Sequence, residues 1–171
     1  MSTIAMPAPD ASILSRKDQI VAALAEAIGA EDVISDPVET RAYECDALTA
    51  YRCPPLAVTL PRTTEGVAAV MRVCHQMGVP VVPRGAGTSL AGGALPTADS
   101  VILGTARLRD VLEVDYPNRF IRVQTGVTNL SVSAHVDADG FFYAPDPSSQ
   151  LACAIAGNIA MNSGGAHCLK Y

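Results

Sequence analysis

Apolar and polar positions along this chain change period several times, and each change marks an element. Ile13, Leu14, Ile20, Val21, Leu24 and Ile28 recur at helical spacing, and Gly29 stands where such a helix would stop. Residues 1–12, small and polar with two prolines, read as a disordered leader. Val33-Ile34 before Asp36-Pro37 predicts a short extended piece and a turn, with a short helix near Val38–Tyr43 and then loop. Pro54-Pro55 marks a boundary, and Leu56–Leu60 reads as a strand closed by Pro61. Thr63 and Thr64 are N-cap candidates for a helix to Met77, whose apolar face is Val67, Val70, Met71, Cys74 and Met77, with Gly78 as its stop. The strand Val79–Pro83 follows at once. Such a strand–helix–strand unit with short joints predicts a parallel pair joined by a right-handed crossover.

Further along, Ser100–Leu103 reads as a strand and Ala106–Asp110 as a turn. Val111–Asp115 and Phe120–Gln124 read as antiparallel strands around Tyr116-Pro117-Asn118. Thr128 caps a helix to Ala138, ended by Gly140, and Ala152–Asn162 forms a small-residue helix or tight turn.

The chemistry concentrates in two loops. The first, Pro83-Arg84-Gly85-Ala86-Gly87-Thr88-Ser89, follows an apolar strand and carries no bulky side chain after Arg84. Gly85 and Gly87 can take positive φ, so backbone N–H groups can converge into an anion-binding concavity. Thr88 and Ser89 add hydroxyl donors, and Arg84 adds a fixed positive charge. The second combines Pro145-Asp146-Pro147-Ser148-Ser149 with the small residues Ala154-Ile155-Ala156-Gly157-Asn158. Two such loops suit an extended phosphorylated ligand, a dinucleotide rather than a lone phosphate.

The spacing does not suit a nicotinamide site of the Rossmann kind. After Gly85 and Gly87 the next glycine is Gly92, no helix opens at the loop, and Asp110 falls in a turn.

A chain of 171 residues with net charge −5 suggests one globular domain. Its 12 Lys and Arg are scattered, which excludes general nucleic-acid binding. No apolar run reaches the ~18 residues of a membrane span. Met1–Asp10 lacks the basic start and apolar centre of a secretory signal, so the expected location is cytoplasmic. The cysteines Cys45, Cys53, Cys74, Cys153 and Cys168 are odd in number with no C-x-x-C, against a disulfide framework or a metal site. Cys74 reads as a small core residue.

Four ordered blocks carry a resemblance. They are Pro83–Gly93, Val123-Gln124-Thr125-Gly126-Val127, Asp146-Pro147-Ser148-Ser149-Gln150 and Gly157–Gly165. Together they resemble the FAD-binding domain of the vanillyl-alcohol oxidase and p-cresol methylhydroxylase flavoproteins, nearest the branch of bacterial glycolate oxidase FAD subunits and D-lactate dehydrogenases. The resemblance implies an α+β fold of the PCMH type. A small parallel β-α-β subdomain is joined to an antiparallel or mixed sheet, incomplete at its C-terminal side. Residues 1–53 form a helical lead-in and 54–171 the FAD-binding domain. The implied cofactor-binding residues are Pro83, Arg84, Gly85, Ala86, Gly87, Thr88 and Ser89 on the first loop, and Pro145, Asp146, Ser148, Ser149, Gly157 and Asn158 on the second.

The implied activity is dehydrogenation of a 2-hydroxy acid, glycolate or D-lactate, with hydride passing to flavin N5. Electrons would then pass to an iron–sulfur subunit or a quinone at the inner face of the membrane. The branch usually has Thr-Ile-Gly-Gly where this chain has Ala154-Ile155-Ala156-Gly157, and a small apolar residue or proline at Thr125. Its members run well past Tyr171 into a substrate-shaping cap and late histidine motifs, so the chain reads as a fragment or a truncated product. No catalytic base is assigned. His75 and His135 read as helix-surface residues, while His167, just after Gly164-Gly165, is the histidine that could lie near the flavin. Asp146 reads as a turn-former or an orienting carboxylate. The alternatives are an inert FAD-binding or partner-binding fragment, and flavin-dependent group exchange as in ether-lipid synthases.

Overall fold

The computed structural model describes residues 6–170. The first apolar stretch forms two helices, not one: α1 (Ala11–Leu14) and α2 (Lys17–Ile28), separated where Arg16 leaves helical geometry at φ −103° and ψ 13°. Asp10 caps α1 by accepting from the Ser12 N–H at 2.7 Å, and its own N–H donates to Asp99 at 2.8 Å. The expected leader over residues 1–12 is therefore structured from Asp10 onward, and its first five residues lie outside those described.

A four-stranded sheet forms the base of the molecule. Its strands are β1 (Val33–Ile34), β2 (Ala57–Thr59), β3 (Val81–Arg84) and β4 (Val101–Gly104), in the order β1-β2-β4-β3. β1 runs antiparallel to β2, and β4 runs parallel to both β2 and β3. The expected direct pairing of β2 with β3 is thus corrected: β4 lies between them. The residues explain the order. Every residue of β4 is buried, as a central parallel strand requires. Pro83 in β3 has no N–H to give to a ladder, which suits an edge strand.

The helix α3 (Thr64–Met77) makes the crossover. Thr63 is its cap, accepting from the Gly66 N–H at 3.1 Å, and Gly78 ends it in the left-handed conformation. One face of the sheet packs Val101 and Leu103 against Ile20 and Leu24 of α2 and Val70 and Cys74 of α3. On the opposite face Val58, Leu60 and Ile102 pack with Ile34, Val82 and Tyr43, the last at the end of a short 3₁₀ turn, Glu39–Tyr43. The buried Asp32 ties these layers together. Its carboxylate pairs with Arg62 at 3.0 Å and with Arg107, while its carbonyl accepts from the Leu60 N–H at 2.8 Å.

The second part is smaller. Strands β5 (Val111–Asp115) and β6 (Phe120–Val123) form the expected hairpin, with a register shift between Val111 and Glu113. Helix α4 (Asn129–Val136) is capped by Thr128, and a 3₁₀ turn carries the chain to Gly140. Helix α5 (Ile155–Ala160) occupies the centre of the small-residue stretch. Val127, Val132 and Ile155 form the core here, with Ile121, Val123 and Tyr143 packed around them.

Candidate functional site

A groove of about 700 Å³ opens where β3 and β4 end and the 83–94 loop meets the start of α5. Ligands commonly bind beyond the carboxyl ends of parallel strands, and this is that edge. Its first wall is the loop itself: Pro83, Arg84, Gly85, Ala86, Gly87, Thr88 and Ser89 all line it. The loop leaves the sheet with its base fixed, since the Arg84 carbonyl accepts from the Thr105 N–H at 2.9 Å.

The two glycines serve different ends. At Gly87 φ is +71°, so positive φ is used there, and a Cβ would run into the Arg84 guanidinium. Gly85 does not need positive φ. It is small because a Cβ on it would lie 2.9 Å from the Cβ of Ala154, so the two loops meet at this point.

Arg84 departs from the simple phosphate-binding role. Its Nη1 donates to the carbonyls of Cys45 at 2.7 Å and Ala94 at 3.2 Å, and its guanidinium lies 5.7 Å from the Tyr43 ring centroid. Burial pulls its pKa down from the usual arginine value, and the neighbouring Cys45, Tyr43 and Asp46 oppose that shift. The side chain is first a clip that holds the loop, with its charge beside the groove.

The second wall is latched to the hairpin part. The N–H groups of Ile155 and Ala156 donate to the carbonyls of Val127 at 2.8 Å and Thr125 at 3.3 Å. Ser149, Gly157 and Asn158 line the groove. Asn158 is 5% exposed, and its Nδ2 is buried without a hydrogen-bond partner. An unpaired buried amide donor costs roughly 1–3 kcal/mol, so an acceptor brought by a ligand would relieve it.

Pro145, Asp146 and Ser148 do not line the groove. The Pro145 carbonyl accepts from Asn129 Nδ2 at 3.0 Å, and Ser148 faces solvent. Asp146 holds the following turn: its carboxylate accepts from the His167 N–H at 3.2 Å and pairs with His167 Nδ1 at 2.7 Å, and its own N–H donates to the Gly164 carbonyl at 3.0 Å. The hydrogen bonds from the His167 backbone and ring hold the Asp146 carboxyl below the usual carboxylate range. His167 is therefore tied to Asp146, and His75 and His135 are exposed on α3 and α4; none of the three lines the groove.

Thr105 lines the groove with no motif behind it: it follows the central strand β4, whereas Thr125, from the Val123–Val127 block, follows β6. Thr105 becomes legible only once β4 is known to lie at the sheet centre. Among the described residues no Asp, Glu, His or Lys lines the groove, although the chain carries a net charge of −5. The cavity thus offers backbone amides, hydroxyls, one unpaired amide and one guanidinium, a donor set for an anionic, partly apolar ligand.

Comparison with known proteins decides which. The model of a family described as FAD binding domain matches residues 55–171. The chain belongs to this family. Its cofactor is FAD, and the residues fit it: the groove is large enough for a cofactor, lacks carboxylates, and has a buried unpaired donor. The chain is 48% identical over 155 residues to glycolate oxidase subunit GlcD of Escherichia coli K12, covering 91% of this chain and 31% of that protein. It is 34% identical over 139 residues to mitochondrial D-2-hydroxyglutarate dehydrogenase of Bos taurus, covering 81% of this chain and 26% of that one. It thus spans less than a third of the length of these relatives. Among solved structures, an alkyldihydroxyacetonephosphate synthase matches with a TM-score of 0.81 at 19% identity, over 98% of this chain and 32% of that chain. That likeness shows a shared fold, and the family match over residues 55–171 makes it the fold of an FAD-binding domain.

Proposed function

We propose that this chain is the FAD-binding portion of a flavin-dependent dehydrogenase or oxidase of 2-hydroxy acids, with glycolate or D-lactate as the substrate class. The observation that carries the reading is the meeting of Gly85 and Ala154 over a groove free of carboxylates, in a chain 48% identical to a glycolate oxidase subunit. Residues 54–171 form the cofactor-binding unit, and the residues before it are a lead-in whose described part adds helices and the edge strand β1. Within the unit, Pro83–Ser89, Ser149, Gly157 and Asn158 hold FAD, while Pro145 and Asp146 support the second loop from outside the groove and Ser148 faces solvent.

Bound FAD supplies a hydride acceptor at the flavin N5. The residues of this chain do the holding. Backbone amides and the Thr88 and Ser89 hydroxyls would donate hydrogen bonds to the pyrophosphate, and the small residues of α5 would let the ring approach the backbone. The Asn158 amide, buried without a partner, would give a hydrogen bond to an acceptor of the cofactor. No lining residue is a carboxylate or imidazole that could take the substrate proton, so the base is supplied from outside the groove described here. That lack favours a second reading, an FAD-binding unit without turnover of its own. Electrons leave through an iron–sulfur subunit or a quinone, on the cytoplasmic side. Among the described residues no helix is long and apolar enough to cross a membrane.

The test is direct. The purified full-length protein should be yellow, release flavin on denaturation, and reduce a dye when given glycolate or D-lactate. A colourless preparation that takes up no FAD would overturn the reading. Substrate-dependent dye reduction by the 171-residue chain alone would remove the second one.

A further inference from the structure

We infer that Tyr43–Ala47, a segment ahead of the region matched by the family model, is a strap that holds the glycine-rich loop in its ligand-receiving shape, with Arg84 and Asp46 as its positioning residues. The inference rests on the assignment of the groove to FAD and adds a role for residues that assignment leaves out.

Four ties join strap and loop. Arg84 Nη1 donates to the Cys45 carbonyl at 2.7 Å. Its guanidinium also sits against the Tyr43 ring. The Ala47 N–H donates to the Ser89 carbonyl at 3.1 Å. The Gly92 N–H donates to Asp46 Oδ2 at 2.8 Å. They are spread over both limbs of the loop, so the strap fixes its width as well as its place. The strap is itself anchored at its N-terminal end. Tyr43 packs with Val58, Leu60 and Ile102 under the sheet, and the Glu44 carbonyl accepts from the Cys53 N–H at 2.7 Å. Asp46 is 5% exposed, and its other oxygen accepts from the Leu48 N–H at 3.0 Å, so its carboxylate is committed to this turn.

The physical consequence is preorganisation. A glycine-containing loop with free amides has many conformations, and a ligand that must select one binds more weakly by that cost. The strap restricts the loop before the ligand arrives. Its contribution should therefore appear in cofactor affinity and in the ligand-free loop alike.

The experiment uses the full-length protein stripped of flavin, titrated with FAD by fluorescence quenching, with amide exchange measured before FAD is added. Asp46→Ala should raise the FAD dissociation constant about tenfold, the scale of one charge-assisted hydrogen bond, and speed exchange at Gly92 and Ala47 by a similar factor. Thr63→Ala, which removes the cap of α3 and touches no groove residue, should lower thermal stability and leave FAD affinity unchanged. Arg84→Lys, which keeps the charge but loses the planar fork, should speed exchange at Gly92 and Ala47 in the FAD-free protein by several-fold, a readout that direct contact with FAD does not move, and it decides the matter where Asp46→Ala does not fold. Unchanged affinity and unchanged exchange in the folded variant would overturn the strap while leaving the FAD assignment standing. A wild-type protein that takes up no FAD would overturn both.

Discussion

Gly85 and Ala154 stand face to face where the two loops meet, and a Cβ on the glycine would come within 2.9 Å of the alanine Cβ. Each residue limits the other. Gly85→Ala should lower the flavin content of the purified protein by pushing the loops apart, and the added Ala154→Gly should restore it. The two changes should couple by about 0.5–3 kcal/mol in FAD affinity, as contacting residues do. Additive effects in the double variant would show that the loops do not touch at this point.

Gly87 makes a different demand. Its φ of +71° excludes most side chains, and a Cβ would displace the Arg84 guanidinium from the carbonyls it holds. Gly87→Val should cost at least about 1–2 kcal/mol of stability from the backbone alone. It should also abolish flavin retention. A variant of normal melting temperature and full flavin content would remove Gly87 from the site.

Much of this was legible in the residues. The α3 cap at Thr63, its stop at Gly78 and the hairpin around Tyr116–Asn118 all follow from local chemistry and appear where expected. What was not legible depends on long-range order. The insertion of β4 between β2 and β3 cannot be read from either strand, although Pro83 in β3 and the unbroken apolar run of β4 are its local marks. The site divides in the same way. The first loop is continuous in sequence and lines the groove as a unit. The second was placed as one motif, but Asp146 turns toward Gly164 and His167 while Ser149 turns inward. Composition could not distinguish these directions.

Thiol chemistry separates the cysteines. Cys74 is 1% exposed in the core between α2, α3 and the sheet, and burial pushes its pKa up to about 11. Its thiolate fraction at pH 8 is then on the order of 0.1%. Cys168 is exposed. Native-state alkylation followed by peptide mapping should label Cys168 at least about a hundredfold faster than Cys74. Equal rates would place Cys74 outside the core.

The Asp146–His167 tie predicts a pH effect with a definite sign. Asp146 is held below its ordinary pKa by hydrogen bonds from His167, so the folded form favours the carboxylate. Its contribution is complete above the unfolded value near 4, and it is lost as pH falls through the lower folded value. Acid should therefore release the Gly164–His167 turn, and the His167 amide resonance should move with that lowered pKa. Asp146→Ala should abolish this titration. Because Asp146 lies outside the groove, the same variant should change FAD affinity at neutral pH by less than about twofold. A large loss of affinity in Asp146→Ala would mean that the carboxylate reaches the cofactor after all, and that its bond to His167 is not the resting arrangement.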